Sequence, residues 1–244
     1  MKTFRFSCHR GLACFTACCR DTSIFLTPYD VLRMKRRLGL SSGEFLARYT
    51  RVLVARPSGL PMVVLRMGDD PEKKCPFVTP EGCRIYEDRP WACRMAPVDV
   101  RDAEPVFILE SSLCHGQGEA REWSLDEWTR DQGLDLYDTV EETFREVTSH
   151  PRLQAEGITD PAVRDMFLMA CYDVDRFRRF VFESRFLKIF DLPDELVAKI
   201  REDETALLEL GFRWVKFGLI DPGALKVRDE VLAARRPPAR EAGE

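Results

Sequence analysis

The chain has 244 residues, 45% hydrophobic and 32% charged, which is enough to bury a sizeable core and excludes disordered and fibrous classes. A formal net charge of −4 argues against a general nucleic-acid binder, and no uncharged apolar run approaches the 18 or so residues of a membrane span. The opening Met1–Phe15 segment lacks an apolar signal-peptide core, so the expected compartment is the cytoplasm.

Taken in chain order, Ser23–Leu26 reads as a strand. Thr27 then caps a helix that starts at Pro28, with Asp30 supporting the cap and Gly39 stopping the run. Ser41 and Glu44 have capping-box spacing ahead of Phe45, Leu46 and Tyr49. Pro61–Met67 reads as a buried strand followed by a Gly-Asp-Asp-Pro turn, and Val106–Leu109 as a further strand.

Beyond residue 118 the pattern is helical. Ser124 and Glu127 form another capping box, and Tyr137, Val140, Phe144 and Val147 mark one buried face. Asp160-Pro161 opens a helical region through about Phe190, and Pro193 opens another through about Gly218. The Arg-rich aromatic stretch Phe177–Phe182 fits an amphipathic core helix better than an RNA-binding surface. The expected architecture is α+β: a cysteine-rich lobe over 1–118, a helical region over 119–232, and a disordered tail over 233–244.

Sulfur is the feature that carries chemistry. Of nine cysteines, Cys8, Cys14, Cys18, Cys19, Cys75, Cys83, Cys93 and Cys114 precede residue 115, and Cys171 alone follows. In a reducing compartment such crowding points to thiolate ligands and not to disulfides. Metal thiolate sites need several sulfurs about 2.3 Å from one ion, and short spacings pre-position them. Cys18 and Cys19 are adjacent, so their side chains diverge on a helix or a strand. They therefore serve either two centres or one centre with a single one of them as ligand.

Because Cys18 and Cys19 do not aim at one metal, the N-terminal run does not close a four-sulfur site alone. Cys75, Cys83 and Cys93 also want a fourth ligand, so the two groups are expected to converge. His9 and His115 flank cysteines and stand as reserve ligands. Arg10, Arg20, Arg84, Arg89 and Arg94 recur beside sulfur, where guanidinium groups offset thiolate charge, with Arg89 and Arg94 the two expected to do so. Cys171 shares an apolar stripe with Val163, Phe167 and Val174 and is expected in the core.

The cysteine segments resemble the YkgJ-type cysteine-cluster family of zinc- or iron-chelating domains. The carrying residues are the run that ends in Cys18-Cys19, the spacer with Leu38-Gly39 and Phe45, and the segment Cys75-Pro76-Phe77. The most specific piece is Cys83-Arg84-Ile85-Tyr86-Glu87-Asp88-Arg89-Pro90-Trp91-Ala92-Cys93-Arg94, and Cys114-His115-Gly116 completes the pattern with His in place of Pro. The resemblance covers about residues 6–118. The spacing of Cys8, Cys14 and Cys18 is wider than the family's usual opening.

The resemblance implies metal or iron–sulfur binding through the eight cysteines. A related module in flagellin lysine methylases extends this to a 4Fe–4S cluster serving redox or cluster-dependent lysine methyl transfer. The alternative is a structural zinc module presenting a surface to a protein partner, with no membrane association.

Overall fold

The computed structural model describes residues 2–235. Among them are thirteen α-helices and four small antiparallel sheets, an α+β architecture with ten of those helices in the second part. The capping signals fold as written. Helix α1 (Pro28–Leu38) has Thr27 and Asp30 in a reciprocal box and ends at Gly39, whose φ of 64° is the left-handed value glycine adopts freely. Its apolar positions Val31, Leu32 and Met34 are fully buried. Helix α2 (Ser42–Tyr49) carries the Ser41–Glu44 box and turns directly into strand β3 (Thr50–Val54).

The expected strand before α1 is shorter than its hydrophobicity suggests: only Phe25–Leu26 pair, as β2. Strand β4 (Pro61–Leu65) sits between β2 and β3, with Phe25 opposite Val64 and Val52 opposite Val63. The third expected strand is shifted to Glu104–Phe107 and pairs with Val98–Arg101 in a hairpin. At the N-terminus, Thr3–Arg5 pairs with Glu122–Ser124, so the first residues are stitched to the start of the helical part. Phe4, Phe6, Trp123 and Trp128 close over this junction edge-to-face, and Trp123 Nε1 donates to the Phe6 carbonyl at 2.9 Å.

The helical region expected from Asp160-Pro161 through about Phe190 holds three helices, Pro161–Cys171, Val174–Glu183 and Phe186–Ile189. The first two breaks follow local chemistry: Asp173 and Ser184 each turn a side-chain oxygen to a backbone N–H two or three residues on. The next region divides at Asp203 into Asp194–Glu202 and a 16-residue helix, Glu204–Leu219, which packs at the centre of the helical part. A Cβ on its Gly211 would stand 2.2 Å from the Ala170 carbonyl, so only glycine allows this crossing. The last helix runs Asp229–Arg235, into the segment expected to be a tail, and residues 236–244 lie outside the described residues.

One continuous apolar core joins the two parts, running from Phe4 to Leu225. Polar contacts reinforce the join. The buried Lys35 ammonium lies 3.1 Å from Asp175 and also meets Glu204, and Ser42 bonds both Asp173 and Asp175 at 2.6 Å. No helix among the described residues is long and apolar enough to cross a membrane.

Candidate metal centre

All nine cysteines are free. Cys171 is buried in the core, as its helical stripe predicts, while the other eight stand on turns and short elements, with Cys114 alone among them buried. The N-terminal run is a chain of tight turns, in which Leu12, Phe15, Ala17 and Cys19 each donate to the carbonyl three residues back. It ends in a single 3₁₀ turn, Ala17–Cys19.

Two later segments receive this run. Ser7 N–H donates to the Gly116 carbonyl at 3.1 Å, and His115 N–H donates to Cys14 Sγ at 3.3 Å, so Cys8 and Cys14 lie against Cys114. A Cβ on Gly116 would meet the Ser7 carbonyl at 2.6 Å, which explains the glycine at this approach. On the other side Cys75 N–H donates to the Cys19 carbonyl at 2.8 Å, and the Arg20–Lys74 bridge extends the pairing. A two-residue hairpin, Val78–Thr79 with Gly82–Cys83, folds Cys83 back toward Cys75. Cys93 enters from the short helix α3 (Trp91–Met95).

The thiols influence one another in the same pattern. Burial and the neighbouring Cys18, Cys14 and Cys114 push Cys8 up to about 11. Burial also raises Cys114, with Cys14 and Cys18 adding to it. Burial raises Cys93, helped by Cys75, Asp30, Cys83 and Cys18. Burial raises Cys75 and Cys83, while Arg84 opposes both shifts and Arg89 opposes that of Cys83. Within the adjacent pair, the hydrogen bond from Cys19 lowers Cys18 to about 7, and the same bond is the main cause that raises Cys19.

No group of three or more Cys, His, Asp or Glu side chains among the described residues is placed to hold a metal ion as it stands. The thiols are neighbours and not a closed ligand set. The thiolate is the ligand form, so metal binding here releases protons from these thiols. Two clusters of soft sulfur donors that can exchange protons for metal fit zinc, iron or an iron–sulfur cluster.

The arginines divide. Arg89, stacked 3.8 Å over the Tyr86 ring, and Arg84, over Phe77, are the two whose charge reaches the cysteines. Arg94 is instead a structural tie, donating to the carbonyls of Arg89, Gln132 and Glu87. Arg20 pairs with Glu72. Of the reserve ligands, His9 is engaged on the surface, accepting from Gly11 N–H and facing Glu119.

Sequence reasoning saw Asp30 only as a helix cap. It is fully buried, and its second oxygen accepts the Trp91 N–H at 2.7 Å, at the start of the helix bearing Cys93. Beside it are Tyr137, whose hydroxyl is buried without a well-formed hydrogen bond, and Glu141, which accepts the Tyr29 N–H at 2.8 Å. Burial lifts Asp30 to about 6 and Glu141 to about 7. An acidic residue inside an N-terminal helical turn was the available signal, but nothing local marks its second partner.

Residues 7–115 match the model of the CxxCxxCC family, described as a putative zinc- or iron-chelating domain. No curated protein and no solved structure matches the chain.

Proposed function

From the match of residues 7–115 to the CxxCxxCC model, we propose that this protein belongs to that family of zinc- or iron-chelating domains and holds its metal through Cys8, Cys14, Cys18, Cys19, Cys75, Cys83, Cys93 and Cys114. The supporting observation is that sequence-distant segments bearing these free thiols are brought against one another. Packing accounts for only part of it: Cys114 is in the core and Cys75 and Cys83 lie against it, while Cys8, Cys14, Cys18, Cys19 and Cys93 do not belong to it.

The metal we favour is iron, as a 4Fe–4S cluster, in a reducing compartment such as the cytoplasm. When bound, such a cluster supplies one-electron chemistry, and cluster-dependent modification such as methyl transfer to a protein lysine is its enzymatic extension. The protein's own contribution is to bury Cys93 and Cys75 in part, to offset thiolate charge with Arg84 and Arg89, and to hold the Cys93 helix on Asp30.

A structural zinc module that presents a surface to a protein partner is the second reading. It is favoured by the way the cysteine segments are tied into the fold: Asp30 caps α3, and Arg33 grips the preceding turn through Asp88 at 3.0 Å and the Glu87 carbonyl at 2.7 Å. Anaerobic purification with iron, acid-labile sulfide, zinc and free thiols quantified separates the readings. Bound iron with sulfide supports the cluster, stoichiometric zinc supports the module, and metal-free protein with disulfides defeats both.

A further inference from the structure

The geometry points to two centres and not one: Cys8, Cys14, Cys18 and Cys114 hold the first, and Cys19, Cys75, Cys83 and Cys93 hold the second. This rests on the metal-chelating reading and goes beyond it by dividing the ligands.

Backbone contacts make the division. The segment before Cys8 pairs with Gly116, and Cys14 Sγ takes the His115 N–H, which places two sulfurs of the opening run against Cys114. The Cys19 carbonyl takes the Cys75 N–H, and the Val78–Cys83 pairing returns Cys83 to the same side. The anchoring of α3 by Asp30 and Arg94 delivers Cys93 there as well.

The adjacent pair decides the rest. Cys18 and Cys19 lie in a 3₁₀ turn, where successive side chains diverge by about 120°. The Cys19 backbone is tied to Cys75, and the Cys18 and Cys19 thiols hydrogen-bond each other across the turn. Among electrostatic neighbours, Cys8 feels Cys18, Cys14 and Cys114, and Cys114 feels Cys14 and Cys18; Cys19, besides its bond to Cys18, feels Cys75 and Cys93, and Cys18 reaches Cys93 as well. Each side then has four sulfurs, the number that closes a tetrahedral thiolate site or ligates one four-iron cluster. The cysteine pair is the junction, and it couples the two centres through a single peptide bond.

The two differ in exposure. Cys8 and Cys18 of the first are exposed, while no sulfur of the second is.

The test is metal content per chain in anaerobically purified full-length protein, wild type against Cys14→Ser, Cys114→Ser, Cys83→Ser and Cys93→Ser, with Cys171→Ser as control. Wild type is expected to carry two equivalents of its centre. Each single variant should lose half, and Cys14→Ser combined with Cys114→Ser should lose no more than half. Combining Cys114→Ser with Cys83→Ser should lose all. A wild type with one equivalent, or any single variant stripped completely, overturns the division and leaves metal chelation standing. A metal-free wild type overturns the chelating reading itself. Wild-type stoichiometry decides between one centre and two even where a variant does not fold, and the folded variants decide the partition.

Discussion

The carboxylate of Asp30 accepts the backbone N–H of Trp91 at 2.7 Å, so a residue of α1 caps the helix that carries Cys93 across 61 positions of sequence. The same carboxylate closes its own helix by accepting from Thr27 at 2.9 Å. One buried group therefore sets both the start of α1 and the position of a candidate ligand.

Replacing Asp30 with Ala strands two backbone donors, and each unsatisfied buried donor costs about 1–3 kcal/mol. Asp30→Ala is expected to lose about 2–4 kcal/mol in urea unfolding and to release metal faster to a chelator. Unchanged chelator release would mean that Cys93 is held by something else.

The two buried carboxyls give the protein an inverted pH response. Glu141 and Asp30 have folded pKa values near 7 and 6, against an ordinary value of about 4. Between those limits the folded chain holds more protons than the unfolded chain. Their contribution is therefore complete below pH of about 4 and is lost as pH rises through about 7.

Thiolate ligands respond in the opposite sense, so the comparison must be with Glu141→Gln, which keeps the acceptor for Tyr29 and does not ionise. The variant is expected to match wild type at about pH 4. At pH 8 it should exceed wild type by as much as about 3 kcal/mol. Parallel stability curves for the two proteins would show that Glu141 titrates normally.

Cys171→Ala should leave metal content unchanged. The site is fully buried, so loss of one small apolar contact is expected to cost about 1–2 kcal/mol in thermal or urea unfolding. Metal loss in this variant would place Cys171 among the ligands.

Metal removal should act unevenly. On chelation, amide exchange is expected to rise over residues 8–20 and 72–95, whose turns are short and whose cysteines repel once ionised. Helices α1 and α2 should keep protection alongside Pro161–Cys171 and Glu204–Leu219, because Lys35 and Ser42 bind them to Asp173, Asp175 and Glu204. Exchange that spreads evenly through residues 1–118 would show that the metal and not this join holds the first half.

What the sequence determined by itself was local. Capping boxes at Thr27, Ser41 and Ser124 folded as spelled, because each satisfies its donors within four residues. The buried face of α1 and the core fate of Cys171 followed from periodicity for the same reason. The eight candidate ligands were visible as a spacing pattern. The short breaks at Asp173, Ser184 and Asp203 were not taken from the hydrophobic pattern, which runs on through them. Strand β3 went unseen because its outward residues are Val52, Leu53 and Val54, apolar where alternation would want polar.

Tertiary structure alone decided which sulfurs are neighbours. That depends on contacts between residues up to about a hundred positions apart, such as His115 N–H to Cys14 Sγ, and spacing along the chain carries no record of them. It also decided the second role of Asp30 and turned Arg94 from a charge partner of sulfur into a brace for carbonyls. A side chain's local sequence states what it can bond, and only the fold brings the partner.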